Sequence, residues 1–348
     1  MKKEIFVLDT LWYNITEFFV CFLFVWEQGE EGMMKVAVIG PGAMGLLYGA
    51  KLSKVADVVL IGNNPEHIRQ INENAVVIKS AKSGTSDGEQ GTDQERFSVK
   101  AALSGEVREA VDLVILFTKA YLTQEALSQN KSIIGENTML LTLQNGMGHD
   151  VILKSFAKDE QILIGTTAQG SYRENAYTIV NSGLGDTMIG RVAQNDDAYD
   201  ERIDKIIEMF NKAGFPCAFS DSIRHMIWNK LMINASSSVL SGVLQKNQGY
   251  VALNEYAWDI CKDLIREICA VAKGDGFFFD PDEQIARINE HLKKAAGGYT
   301  SLYSDIKNGR KTEVDHISGA VVRLAKEYGL KVPVQEMMVR MVHAMETV

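Results

Sequence analysis

The stretch from Lys35 to Ile61 constrains the fold of this 348-residue chain more than any other. Lys35-Val36-Ala37-Val38-Ile39 is a short β-branched run that reads as a buried strand. Gly40-Pro41-Gly42-Ala43-Met44-Gly45 follows at once, Leu46 to Lys54 carry helical apolar spacing, and Val58-Val59-Leu60-Ile61 reads as a second strand. Strand, Gly-x-Gly-x-x-Gly turn, helix and strand in this order form the context of a dinucleotide-binding unit. The spacing has physical reasons. Gly40 allows the tight turn, Gly42 lets a pyrophosphate approach the backbone, and Gly45 lets the helix pack closely. The helix N-terminus offers free N–H groups and partial positive charge. Gly40, Pro41, Gly42, Ala43, Met44 and Gly45 are therefore candidate cofactor contacts.

An Asp or Glu closing the second strand would bind a ribose 2′-hydroxyl and favour NAD. Gly62-Asn63-Asn64 stands there instead, so a 2′-phosphate meets no repulsion and NADP is favoured. Asn63 is the candidate contact; His67 and Arg69 fall on the next helix. Val111–Phe117, Thr138–Leu143 and Ile162–Gly165 read as further strands, and Lys119 and Asn145 follow the carboxyl ends of the first two. Ligands gather at those ends in such sheets. A solvated loop remains an alternative for Lys119, and a turn before glycine for Asn145. Thr178–Val180 and Thr187–Ile189, around Asn181-Ser182-Gly183, read as a hairpin. Ser80 to Gln94 reads as a surface loop.

From about Ser220 the pattern turns helical. Lys230, Asn234 and Ser238, at i, i+4 and i+8, form a polar stripe on an otherwise apolar helix. It is either a solvent face or a row of donors facing a cleft. Asn254 to Ala272 reads as a long helix with Cys261 and Cys269 in its apolar stripe. A shorter segment, Tyr299 to Lys307, ends at Asn308-Gly309. Thr312-Glu313-Val314-Asp315 matches a capping box, which puts Glu313 in the first turn of a helix ending near Gly329. There the helix dipole favours its ionised form, and simple helix stabilisation is the alternative role.

Composition sets the frame. The length suggests two domains, expected at 34–220 (dinucleotide-binding) and 221–348 (helical). With 46% hydrophobic and 23% charged residues the chain is a globular protein. A net charge of −9 argues against general nucleic-acid binding. Four cysteines without a Cys-x-x-Cys pair suggest buried thiols in a reducing cytoplasm and no metal site. Residues 1–33 read as a leader outside the fold. Their apolar run, Phe18 to Trp26, is too short to span a bilayer, and Met33 or Met34 is the expected start.

Together the pieces resemble the ketopantoate reductase (2-dehydropantoate 2-reductase) family. The resemblance rests on Gly40–Gly45, Gln144-Asn145-Gly146-Met147-Gly148, Trp228-Asn229-Lys230-Leu231 with Asn234, and Ser301 through Gly309-Arg310-Lys311-Thr312-Glu313-Val314-Asp315. It implies an α/β chain, with a Rossmann-type dinucleotide-binding domain followed by an all-helical domain. The implied activity is reduction of ketopantoate to pantoate with NADPH, for pantothenate synthesis. It casts Lys230 as the catalytic lysine and Asn234 and Ser301 as substrate contacts. Asn145 would stand at the cofactor–substrate junction, and Glu313 near the nicotinamide ribose. Two departures stand out. Ser238-Val239 replaces the family's second asparagine and proline, and Asn63 or Asn64 replaces its arginine after the second strand. Ser238 is then a shorter substrate contact. Another 2-keto acid as substrate, or an inactive nucleotide-sensing protein, are the alternatives. Expected partners are a small 2-keto acid and no nucleic acid or membrane; a homodimer is compatible with this reading.

Overall fold

A computed structural model describes residues 32–80, 93–192 and 200–346. The expected leader up to Glu31, the centre of the expected Ser80–Gln94 loop and Cys21 lie outside the described residues. The strands, in chain order, are β1 (Lys35–Ile39), β2 (Asp57–Gly62), β3 (Val76–Ser80), β4 (Gln94–Phe97), β5 (Lys100–Leu103), β6 (Leu113–Leu116), β7 (Met139–Thr142), β8 (Ile162–Thr167), β9 (Gly170–Arg173), β10 (Thr178–Gly183), β11 (Thr187–Arg191) and β12 (Cys217–Phe219). Eight of them form one sheet in the order β12-β11-β8-β7-β6-β1-β2-β5. All its neighbours run parallel except β8 and β11. The central strands are buried on both faces: Val36 to Val38 and Leu113 to Leu116 have no exposed surface. That is why they read as continuous apolar runs without alternation.

β1 leads through Gly40 into helix α1 (Ala43–Leu52), and β2 leads into α2 (Pro65–Asn74). The expected hairpin does not form. β10 joins a second sheet, β4-β3-β10-β9, pairing parallel to β3, whereas β11 crosses to the large sheet and pairs with β8. The small sheet packs on α1, as the Ser171 hydroxyl at 3.4 Å from Met44 Sδ shows.

After β12 the described chain is helical. Helix Ile223–Ile233 continues through a π-helical turn, Asn234–Ser238, into helix Val239–Leu244. The 20-residue helix Glu255–Gly274, capped by Asn254, runs through the middle of a second apolar core with Trp228, Leu231, Val271 and Val321. Cys261 and Cys269 are buried in it and Cys217 in the first core, all three as free thiols. Asp275, just past the long helix, accepts hydrogen bonds from Trp228 Nε1 (2.8 Å), Arg224 Nε (2.9 Å) and the Tyr328 hydroxyl (2.7 Å). These bonds fix the start of the helix that carries Lys230. No helix among the described residues is long and apolar enough to cross a membrane.

Candidate active site

The glycine turn has the shape its sequence implies. Gly40 sits at φ +99°, and a Cβ there would meet the Thr118 backbone nitrogen at 2.5 Å. A Cβ on Gly45 would strike the Gly40 carbonyl oxygen, so the closest approach it permits is to the turn itself. A Cβ on Gly42 would meet nothing within 4 Å. Gly42 is also the N-cap of α1 and supplies no side-chain cap, and the first turn holds no acidic residue. An open approach, uncapped N–H groups and no carboxylate suit a pyrophosphate. These residues therefore fit a dinucleotide.

At the end of β2, Asn64 Oδ1 accepts the His67 amide as cap of α2, which leaves Asn63 exposed and uncommitted. Arg69 is paired with Glu66 and Glu73 at 2.7 and 2.5 Å.

The candidate catalytic lysine comes from the helical half. Lys230 lies one turn before the π-helical segment, and its ammonium donates to the Thr167 carbonyl at the end of β8 (2.9 Å). Thr167 is itself anchored. Its hydroxyl bonds the buried Tyr48 hydroxyl (2.8 Å) and the Thr187 hydroxyl (3.1 Å) and accepts the Gln169 amide (3.0 Å). Burial pushes Lys230 down to about 8, with the Glu313 charge opposing the drop. Near pH 7 the group is still charged, but it gives up its proton readily.

Glu313 is not where the capping box put it. It precedes a 3₁₀ turn, Val314–His316, and the α-helix begins only at Ser318. The Thr312 hydroxyl reaches the amide of Val314, two residues on, instead of the third as a capping box requires. The helix-dipole argument for its charge therefore fails. The carboxylate is held instead by the Ala120 amide (2.9 Å) and the Lys119 ammonium (3.7 Å). Lys119 also pairs with the buried Asp305 at 2.6 Å, and Asp305 with Arg310 at 3.0 Å. Burial opposes the Lys119 charge, but Glu313 and Asp305 outweigh it and hold its pKa above the ordinary value. Lys119 thus ties the loop after β6 to the helical half.

The stripe on the Lys230 helix is real but not α-helical throughout, because the π turn changes its pitch from Asn234 onward. Ser236 and Ser237 bond back to the Met232 and Ile233 carbonyls, whereas Lys230, Asn234 and Ser238 keep some exposure. The Ser238 carbonyl accepts the Thr300 hydroxyl (3.3 Å), which brings the start of helix Ser301–Lys307 beside the stripe. Among the described residues, the side chains of Asn145, Asn234, Ser238 and Ser301 have no hydrogen-bond partner and remain available to a ligand. Asn145 sits in a loop clipped to the Glu313 segment. Its carbonyl meets His149 Nε2 (2.9 Å), the His149 ring stacks on His316 at 5.4 Å, and the Met147 amide donates to the His316 carbonyl (2.9 Å). Sequence reasoning did not single out Thr167, Asp305 or His149. All three act through tertiary contacts, and only the four-residue spacing of Ser301 and Asp305 on one helix hinted at any of them.

Comparison with known proteins agrees with this architecture. Residues 36–194 match the profile of the family described as ketopantoate reductase PanE/ApbA, and residues 222–346 that of its C-terminal domain. A 2-dehydropantoate 2-reductase of Streptococcus pyogenes serotype M18 is 28% identical over 317 residues, 90% of this chain and 99% of the relative. One from Pyrococcus abyssi is 30% identical over 303 residues, 86% and 94% of the two chains. Among solved structures, D-mandelate dehydrogenase with NADH and anilino(oxo)acetate superposes with a TM-score of 0.81 at 30% identity, covering 90% of this chain and 98% of that one. A putative 2-dehydropantoate 2-reductase from Enterococcus faecalis gives 0.69 at 29%, with the same coverage.

Proposed function

The chain belongs to the ketopantoate reductase family of oxidoreductases, and from that premise we propose that it reduces the 2-keto group of ketopantoate to the alcohol of pantoate with NADPH. The observation that carries this reading is the Lys230 ammonium, held on the Thr167 carbonyl at 2.9 Å on the same helical stretch as the side chains of Asn234 and Ser238, which have no hydrogen-bond partner among the described residues.

A bound reduced nicotinamide supplies the hydride to the keto carbon. The chain's own residues do the rest. Lys230 donates a proton to the keto oxygen as charge develops there, so that hydride on carbon and proton on oxygen complete the alcohol. Its anchor on the Thr167 carbonyl keeps the ammonium in place before substrate arrives. Glu313 keeps Lys230 charged, Asn234 and Ser238 orient the keto acid, Ser301 holds its carboxylate, and Asn145 stands between substrate and nicotinamide. Pantoate so formed would feed pantothenate synthesis, and cytoplasm is the expected compartment.

A second reading has its own support. Ser238 reaches less far than the asparagine it replaces, no arginine follows β2, and the similar D-mandelate dehydrogenase is a complex with NADH. A bulkier 2-keto acid reduced with NADH would suit these features. Initial rates with ketopantoate and phenylglyoxylate, each with NADPH and NADH, separate the two. The first reading expects the highest kcat/KM for ketopantoate with NADPH. A higher value for phenylglyoxylate with NADH would replace it.

A further inference from the structure

The end of β2 lacks an arginine, yet the small sheet delivers one to the same place. β9 is the edge strand of that sheet, and alternation puts Ser171 and Arg173 on one face. Ser171 fixes where this face looks, since its hydroxyl lies 3.4 Å from Met44 Sδ in the first turn of α1. Just past the strand, the Ala176 carbonyl meets His67 Nε2 at 2.7 Å, in the first turn of α2. Residues 171–176 therefore bridge the N-terminal turns of α1 and α2, and the carboxyl end of β2 lies between those turns with Asn63 exposed. Burial lowers the pKa of His67, the Ala176 hydrogen bond opposes the drop, and the nearby Arg173 charge adds to it.

Other cations nearby are committed. Arg69 holds Glu66 and Glu73, and Lys79 holds Glu174 at 2.6 Å. Arg173 is exposed and has no ion-pair partner among the described residues. A planar guanidinium with several N–H donors matches a phosphate in shape and charge.

We propose that Arg173 recognises the adenosine 2′-phosphate of NADPH, taking over from β9 the part that an arginine after β2 would play. The inference rests on the reading of NADPH as cofactor. It makes the small sheet part of the cofactor site.

The test is fluorescence titration of the purified protein with NADPH and with NADH. Arg173→Ala should weaken NADPH binding about tenfold and leave NADH binding within about twofold, because only the former carries the 2′-phosphate. Arg173→Lys should recover part of the loss. In the parent, the NADPH preference should shrink as ionic strength rises. Unchanged NADH binding also shows that the variant is folded, as expected for an exposed edge position. A parent preference for NADPH that survives in Arg173→Ala overturns the inference alone. A parent that binds both cofactors equally overturns the NADPH reading, and this inference with it.

Discussion

Replacing Lys230 with alanine lowers kcat by on the order of 10²- to 10⁴-fold, the usual size of a general-acid contribution. The loss is expected in kcat and kcat/KM alike, because the lysine interaction strengthens only as charge builds on the keto oxygen. Dinucleotide affinity should change little, since Lys230 bonds the Thr167 carbonyl and not the glycine turn. The pH profile gives a second readout. The useful form is the protonated ammonium, and burial sets its pKa at about 8, so parent kcat/KM should fall as pH rises through that value. The Glu313 charge raises the lysine pKa, so Glu313→Gln should move the falling limb to lower pH. A Lys230→Ala variant that turned over ketopantoate near the parent rate would make the polar stripe an ordinary solvent face.

The second large effect concerns the glycine turn, where two substitutions should behave differently. A side chain on Gly42 enters open space, and its backbone, at φ −74°, suits any residue. Gly42→Val should therefore keep the thermal stability of the parent. Its isopropyl group would stand where a pyrophosphate approaches α1, and dinucleotide affinity should drop on the order of 10²-fold or more as charge-assisted N–H contacts are lost. In Gly45→Ala the new Cβ collides with the Gly40 carbonyl, so the turn must shift and both stability and binding should fall. Isothermal titration and a melting curve on each variant check this. Full NADPH affinity in Gly42→Val would remove the turn from the cofactor site.

The contrast between these regions explains what the sequence could disclose. The unit from β1 to β2 is local: strand, turn and helix are decided by neighbours in the chain, and the glycine spacing reads directly. The strands from β6 to β8 were legible because burial on both faces leaves unbroken apolar runs. Pairing is not local. Nothing in Thr178–Ile189 says that β10 will join β3, more than 90 residues upstream, while β11 joins β8. The residues from Ser80 to Gln94 read only as loop, and the short strands β3, β4 and β5 around them, like β9 further on, gave no pattern of their own. In the site, Lys230, Asn234, Ser301 and Glu313 were visible through motif and spacing. Their supports were not: the Thr167 carbonyl, the Lys119–Asp305 pair and the His149–His316 stack join segments far apart in sequence. The capping box misled because a threonine hydroxyl can satisfy an amide two residues on as well as three, and only the backbone decides which.

The central claim is hydride transfer from the nicotinamide to a 2-keto carbon with Lys230 supplying the proton. Its most direct test is to incubate the protein with ketopantoate and NADPH deuterated at both C4 positions, and to read the label in the product by mass spectrometry and NMR. The account predicts pantoate carrying one deuterium, on C2, in step with cofactor oxidation, and almost none from Lys230→Ala over the same time. Cofactor left unoxidised, or pantoate with only protium at C2, would contradict it.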